Sequence, residues 1–294
     1  MFGFLTGTYG PSSEGYHPLM KPYTKLQARS LNGGQTWNIE TPNVDLNCSQ
    51  EPSEAPEFDL TKSIIRGCGV YDTGGDDCVE HGGFYLSHDR GKEWLGPYKF
   101  TGLEKVFDGY ECTTRTCVID NKLFMSRRKI GVFASDDTFE AYHDGKNFHF
   151  KRWVCRDLNR ATMPSVTEFN GHLYCALRRR SVHSNCLIEV FKFTDRWNSC
   201  GVVGRTGKYN GNPPALSNVD GYLVCAYGHR STKSMMYAIS DNGVTWSNFI
   251  MRGTTRYDIG YPQLFKLNNK ELLCVYYWSD DDTRCRIEST KLSF

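Results

Sequence analysis

Arginine and aromatic side chains recur at the ends of short apolar segments in the second half of this 294-residue sequence. Arg178 and Arg230 each follow such a segment, and a guanidinium group binds a carboxylate through two parallel hydrogen bonds. Tyr261 and Asp258 lie close together before the last segment and could supply a nucleophile and a carboxylate. These residue types predict a site for an anionic, ring-shaped ligand such as an acidic sugar. The other candidates for ligand contact are Arg128, His229, Tyr277 and Trp278.

The elements that must position these residues are four repeated hairpins. Each copy opens with an Asn or Asp turn and continues as a short apolar strand, and a second strand precedes the turn. A repeat of about 50 residues built from hairpins predicts a β-propeller, because one blade cannot bury its own faces. One position, a cysteine in three copies, recurs at steps of 50, 50 and 49 residues and predicts a small buried filler. Its occupants are Met125, Cys175, Cys225 and Cys274.

A second motif, S-x-D-x-G-x-T-W, lies between these hairpins. Ser30–Trp37 and Ser87–Trp94 match it with one departure each, and Ile239–Trp246 matches it with Asp241 as its acid. In such a hairpin a short carboxylate or amide accepts hydrogen bonds from turn amides, glycine adopts a positive φ and Trp covers the bend. The motif resembles the Asp-box of sialidase-like propellers.

Together the two motifs predict an all-β chain, folded over residues 1–294 as a single domain that is a six-bladed β-propeller with Asp-box turns. Degenerate turns near residues 143–148 and 195–197 complete the series. Antiparallel strand order predicts that the Asx turns and the Asp-box turns share one end of each blade. The candidate site residues then share the opposite end, around the mouth of a central channel, which is a concave place that favours ligands.

The resemblance to sialidases covers most of the chain and implies roles for individual residues. In that family a Tyr backed by a Glu is the nucleophile, three Arg hold the sugar carboxylate, and an Asp is the acid/base. The stretch Gly260–Leu267 matches the surroundings of the nucleophile and implies that role for Tyr261. Arg178 and Arg230 match the second and third arginines of the family.

Three elements of the family pattern are not found. The alignment places Met163 where the glutamate partner belongs, and the Phe-Arg-Ile-Pro motif of the first arginine is absent. Residues 10–25 offer only Glu14 and His17 where the acid/base Asp should lie. A tyrosine with a pKa near ~10 is a poor nucleophile without a carboxylate partner, so Asp258 is the candidate substitute.

These observations favour a sialidase-like exo-glycoside hydrolase with an altered catalytic set, acting on an acidic carbohydrate or glycoconjugate. Tyr261 and Asp258 are its candidate catalytic residues. A catalytically silent propeller that binds a glycan or a protein through the same mouth is the main alternative. A polysaccharide lyase, with His17 or His229 as base, is a weaker one.

Composition excludes several other classes of protein. The sequence has 35 Lys and Arg against 33 Asp and Glu, a net charge of +2, which argues against a nucleic-acid binder. No apolar run approaches the ~18 residues of a membrane span. The 12 cysteines form no zinc-binding pattern, and no motif indicates a cofactor or a metal.

Without an export signal, a cytoplasmic or unexported viral protein is expected, and secretion stays open if a leader was trimmed. The oligomeric state is not indicated.

Overall fold

A computed structural model describes most of the chain, and every regular element among the described residues is a β-strand. The described residues contain no helix, and thus none long and apolar enough to cross a membrane. The all-β prediction is confirmed. Contacts divide the chain into two compact units, one of residues 1–6, 24–31 and 35–159 and one of residues 7–23, 32–34 and 160–294. The described residues are 1–9, 19–44, 57–58, 63–68, 83–99, 110–119, 122–129, 137–143, 148–155, 161–179, 186–207, 213–280 and 284–294.

The first eleven strands form three small sheets, each built from strands that are consecutive in sequence. Their orders are β1-β2-β3, β4-β5-β6-β7 and β8-β9-β10-β11. The strand bounds are β1 (Phe2–Tyr9), β2 (Leu19–Arg29), β3 (Asn38–Glu40), β4 (Glu57–Phe58), β5 (Ser63–Cys68), β6 (Gly83–Ser87), β7 (Leu95–Lys99), β8 (Tyr110–Ile119), β9 (Lys122–Lys129), β10 (Asp137–His143) and β11 (Phe148–Cys155).

The second unit carries three antiparallel sheets of the same kind. Their orders are β12-β13-β14-β15, β16-β17-β18-β19 and β20-β21-β22. The predicted repeated hairpins are β8–β9, β12–β13, β16–β17 and β20–β21, and the structure confirms all four. The strand bounds are β12 (Ala161–Phe169), β13 (His172–Arg179), β14 (Cys186–Phe193), β15 (Trp197–Gly207), β16 (Ala215–Val219), β17 (Tyr222–His229), β18 (Ser234–Ser240), β19 (Ser247–Gly253), β20 (Gly260–Asn268), β21 (Glu271–Ser279) and β22 (Cys285–Ser293).

The core of the second unit lies between facing sheets. Strand alternation sends successive side chains to opposite faces, so each sheet contributes to the core on either side of it. Cys225 packs with residues of β12–β15, whereas its neighbour Val224 packs with residues of β20–β22. Cys175, Cys225 and Cys274 are in no disulfide bond and have no exposed surface. Their prediction as small buried fillers is confirmed.

The turn between β6 and β7 shows how the second motif works. The Asp89 carboxylate accepts hydrogen bonds from the backbone N–H groups of Lys92 (2.9 Å) and Glu93 (3.0 Å). The Ser87 hydroxyl accepts one from the N–H of Gly91 (2.6 Å), which has a φ of 78°. Trp94 is fully buried against this bend. The side chains thus satisfy turn amides that would otherwise lack partners.

The turn between β18 and β19 departs from the predicted assignment. The acceptor for its backbone N–H groups is the Asn242 side chain, which binds Val244 (2.8 Å) and Thr245 (2.9 Å). Ser240 accepts from the N–H of Gly243, and Asp241 is exposed. The motif here is one residue shorter than the alignment assumed, because it begins at the serine and not at the preceding isoleucine. Asn242, not Asp241, therefore caps this turn.

The two ends of the β16–β19 sheet differ as the strand-order argument predicts. In the β16–β19 sheet, Leu223 pairs with Ser240 next to the two capped turns, and His229 pairs with Ser234 at the far end. Trp246 and Arg230 therefore lie at opposite ends of this sheet. We call the end of a sheet that carries the Asx and Asp-box-like turns the turn end, and the opposite end the loop end.

Candidate functional site

A buried polar cluster lies at the loop end of β20 and β21. Tyr277, on β21, is at its centre: the hydroxyl accepts a hydrogen bond from Arg230 Nη2 (3.1 Å) and donates one to Asp258 Oδ1 (2.8 Å). Arg230 Nη2 and Asp258 Oδ1 are 3.8 Å apart. Arg230 occupies the turn after β17 and Asp258 the segment before β20, so three chain segments meet here. We call Arg230, Asp258, Tyr261 and Tyr277 the arginine cluster.

Burial and charge set the protonation of this cluster. Its four side chains belong to residues that are between 5% and 9% exposed. Burial, and next the Asp258 carboxylate, raise the pKa of Tyr277 well above its ordinary value, so the phenol stays protonated at neutral pH. Burial by itself lowers the pKa of Arg230, but the facing Tyr277, Asp258 and Tyr261 outweigh it and raise that pKa. Arg230 is therefore a permanent cation in a poorly hydrated place.

Tyr261 is held in the cluster by an unusual backbone. Its φ is 48°, and the pairing of β20 with β21 shifts register between Gly260 and Gln263. Met163, at the start of β12, has a φ of 59° beside a similar register shift. Left-handed conformations cost roughly 1–2 kcal/mol for such residues and are found at functional sites. The two bulges bring Met163, Tyr261 and Tyr277 into one buried group, in which the two tyrosine rings stack at 5.5 Å.

The arginine cluster has a donor left for a ligand. Arg230 Nε–H is buried and has no hydrogen-bond partner among the described residues. A buried guanidinium donor of this kind costs free energy unless something accepts its hydrogen bond. The charges of Arg230 and Asp258 cancel, however, so the cluster alone has no net charge. Strong attraction for an anion therefore requires a second cation.

Arg178 is the second cation that the sequence predicts for the ligand. It is 3% exposed and pairs in register with Thr162, the residue before Met163. Strand alternation places its side chain on the same face as Ala176, which packs against the β16–β19 sheet. The neighbouring Arg179 forms an ion pair with Glu189 at 3.4 Å. By the 50-residue step, Arg178 corresponds to Gly228, so it lies two positions short of the equivalent of Arg230.

Two predicted site residues are not brought into the cluster. Trp278 is next to Tyr277 on β21, so it faces the opposite side and packs in the core with Tyr276. Its indole N–H donates to Asp280, and the Arg252 guanidinium lies 4.4 Å from its ring. Because successive residues of a strand face opposite sides, the sequence alone could have excluded either Tyr277 or Trp278 from the site.

His229 is held in the turn that precedes Arg230. Its Nδ1 accepts a hydrogen bond from the N–H of Thr232 (3.2 Å), and its Nε2 lies 3.0 Å from the carbonyl oxygen of Arg205. This pattern requires the neutral tautomer with its proton on Nε2. Both ring nitrogens are therefore engaged by backbone groups, which leaves no basic nitrogen for a substrate.

Other predicted positions lie outside the description. Arg128 lies on β9, where only its backbone is described, and Glu14 and His17 are outside the described residues. What the sequence did not indicate is the bridging role of Tyr277 and the packing of Met163 on it. No local pattern could have indicated either, because both depend on contacts between different sheets.

A cleft of about 510 Å³ lies at the turn end of the second unit, away from the arginine cluster. Glu168, Asn218 and Lys266 line it from equivalent positions of β12, β16 and β20. The Asn218 side chain donates to the carbonyl of Glu168 (2.6 Å) and accepts from Lys266 Nζ (3.1 Å), which joins the three strands. Among the described residues, no group of three or more His, Cys, Asp or Glu side chains is placed to hold a metal ion.

Comparison with known proteins yields structural likeness without sequence likeness. No protein-family model and no curated protein sequence matches the chain. A protein of unknown function from Dyadobacter fermentans is similar with a TM-score of 0.67 and 14% identity, over 99% of this chain and 93% of its own. A Hadza microbial sialidase is similar with a TM-score of 0.64 and 15% identity, over 92% of this chain and 60% of its own. A thermostable family-43 glycoside hydrolase is similar with a TM-score of 0.53 and 10% identity, over 79% of this chain and 86% of its own.

At these identities the likeness is one of fold. The chain has an all-β fold similar to that of propeller glycoside hydrolases, the sialidase among them. It spans about 60% of the length of that sialidase.

Proposed function

We propose that this chain is a glycan-active six-bladed β-propeller with Asp-box-like turns, which recognises an acidic sugar at the loop end and cleaves its glycosidic bond. The observation that carries the proposal is the buried Arg230, whose Nε–H has no partner in the described part of the chain, next to Tyr261 in a strained backbone. The six small sheets in the described part of the chain and the fold likeness to glycoside hydrolases support it.

In this proposal Arg178 and Arg230 share the carboxylate of the sugar, and Tyr261 is the nucleophile. The raised pKa of Tyr277 keeps its phenol protonated, which argues against Tyr277 as the nucleophile. Tyr261 stacks on Tyr277 and faces Arg230, so it lies beside the group that would bind the carboxylate of the sugar. The Asp258 carboxylate neutralises the charge of the buried guanidinium.

A binding protein without catalysis is the second candidate. The observation that favours it is Met163, whose thioether packs on Tyr261 and Tyr277 at the position where the sialidase resemblance implies a glutamate. A thioether cannot accept the phenol proton, so Tyr261 would then have no general base. The lyase alternative is not favoured, because both nitrogens of His229 are engaged by backbone groups.

The test combines ligand binding with turnover. Purified protein is titrated with free N-acetylneuraminate, glucuronate and galactose, and is assayed on fluorogenic glycosides of the same sugars. Arg230→Lys keeps the charge but loses the guanidinium fork, so affinity for an acidic sugar should fall by about 10- to 150-fold. Tyr261→Phe should abolish turnover and preserve binding. Lys266→Met, in the cleft at the turn end, is the matched cationic control and should change neither.

Each outcome has one interpretation. Turnover lost in Tyr261→Phe alone supports the hydrolase. Acidic-sugar binding that depends on Arg230, with no turnover in the unaltered protein, supports the binding protein and overturns the enzyme. Binding that falls in Lys266→Met but not in Arg230→Lys would move the site to the cleft at the turn end. Equal affinity for galactose and for the acids would overturn the acidic-sugar assignment.

A further inference from the structure

The hydroxyl of Tyr277 is placed between two groups of opposite charge that do not bond each other directly. It accepts from Arg230 Nη2 and donates to Asp258 Oδ1, so its one proton and an acceptor lone pair are both used. The 3.8 Å between Arg230 Nη2 and Asp258 Oδ1 is too long for a hydrogen bond. A buried guanidinium and a carboxylate otherwise form a paired fork with two parallel bonds. The phenol hydroxyl takes the place of such a fork.

We propose that Tyr277 is a positioning residue, whose hydroxyl keeps Arg230 from closing onto Asp258 and so leaves the Nε–H edge of the guanidinium open to the ligand. Without this hydroxyl, the guanidinium of Arg230 donates two hydrogen bonds to the Asp258 carboxylate. Those donors are then not available to an acidic ligand. The inference rests on the proposed function for its ligand. The orientation of the Arg230 guanidinium, which the inference explains, does not depend on any ligand.

Three features fix the phenol in this position. Its ring stacks on Tyr261, and Met163 belongs to the same buried group. The strained backbone of Tyr261 and Met163 holds those two partners at the loop end. Burial raises the pKa of Tyr277, so the phenol stays protonated near neutral pH and remains a hydrogen-bond donor to Asp258.

The chain offers a matched control for Tyr277 in the residue next to it. Tyr276 is also buried, and its hydroxyl is 2.8 Å from Thr290 Oγ1, but it faces the core between sheets. Tyr277→Phe and Tyr276→Phe each remove one hydroxyl that makes a side-chain hydrogen bond. Only the first should alter the environment of Arg230.

The first readout needs no ligand. In ¹⁵N-labelled protein, the Nε–H signal of Arg230, identified by its loss in Arg230→Lys, should shift in Tyr277→Phe and stay in place in Tyr276→Phe. An unchanged signal in Tyr277→Phe would overturn the inference. This result does not depend on whether the protein binds sugars, so it separates failure of the inference from failure of the proposed function.

The second readout is the affinity for N-acetylneuraminate or glucuronate, whichever the unaltered protein binds more tightly. Tyr277→Phe should weaken it by about 10- to 100-fold, and Tyr276→Phe by less than about twofold. Adding Asp258→Asn to Tyr277→Phe should restore most of the loss, because the competing carboxylate is gone. Loss without such rescue would show that Tyr277 contributes by direct ligand contact and would overturn the positioning role.

A variant that keeps Tyr277 guards against misfolding of Tyr277→Phe. Asp258→Asn alone leaves the amide oxygen to accept from Tyr277, so Arg230 should keep its orientation and bind the acid at least as tightly as before. A fall in affinity in this folded variant would mean that the carboxylate, not the phenol, positions the guanidinium.

Discussion

The capping of a turn and the arginine cluster are built by hydrogen bonds of different range. In the β6–β7 turn, Asp89 bonds groups that are two to four residues away in sequence. At the loop end, Tyr277 bonds Arg230 across 47 residues and Asp258 across 19. The capping hydrogen bonds of a turn need only the residues of its own short motif. A cluster that joins three segments exists only when the sheets have packed.

The two ends also differ in where they place left-handed backbone. At the turn end it falls in the turns themselves, on glycines and on Arg90, Asn170 and Asp220, and turns tolerate it most readily on Gly, Asn and Asp. At the loop end it falls on Met163 and Tyr261, within β12 and β20 and beside a register shift in each strand pairing. The loop end therefore places strained backbone inside paired strands, as is found at functional sites.

The largest effect is expected when the charge pairing of the loop end is broken. Asp258→Ala leaves Arg230 as a buried cation without a carboxylate, which should lower the free energy of unfolding by about 3–5 kcal/mol. Denaturant unfolding measures this. The double variant Asp258→Ala with Arg230→Met should recover part of the loss, since it removes the unpaired charge. Strictly additive losses would show that the two residues do not interact.

A smaller effect is expected from two glycines of the turn end. Gly243 and Gly221 have φ values of 75° and 78°, but a Cβ on Gly243 would lie 2.4 Å from the Tyr174 ring, whereas one on Gly221 would meet nothing within 4 Å. Gly221→Ala should cost only the backbone strain, about 1–2 kcal/mol. Gly243→Ala should cost about 1–3 kcal/mol more because of overpacking. Equal midpoints in denaturant would contradict this packing of the turn on the neighbouring sheet.

The smallest effect concerns pH at the turn end. The backbone N–H of Glu93, together with Ser87 and the N–H of Lys92, lowers the pKa of Asp89 from its ordinary value. A lowered folded-state pKa means that this stabilisation is present above about pH 4 and is lost as the pH falls through the folded-state value. Asp89 is exposed, so solvent screening limits the effect to about 1 kcal/mol or less.

Asp89→Asn should therefore reduce the acid sensitivity of the unfolding free energy between about pH 5 and pH 2. Asp241→Asn is the control, because Asn242 caps the corresponding turn and Asp241 should be silent. Thermal melts over this pH range compare the two variants. A larger change in Asp241→Asn than in Asp89→Asn would indicate that Asp241 caps its turn, as the sequence motif predicted.

Local periodicity predicted much of the architecture. The Asx turns and the 50-residue step predicted the four hairpins, and the cysteine position predicted residues of the core. The serine-to-tryptophan motif predicted the turns, although its alignment at Asp241 was one residue off, because the spacing between serine and tryptophan is not constant. Strand order then predicted which end carries the arginines.

The sequence by itself determined what depends on neighbours in the chain: strands, turns and the end of the sheet at which each residue lies. Only the tertiary structure decided that Tyr277 bridges Arg230 and Asp258, that Met163 packs on Tyr261 and that Trp278 belongs to the core. The physical reason is that hydrogen bonds over two to four residues are nearly independent of the rest of the fold. Contacts over 19 or 47 residues depend on how whole sheets pack, which no short motif encodes.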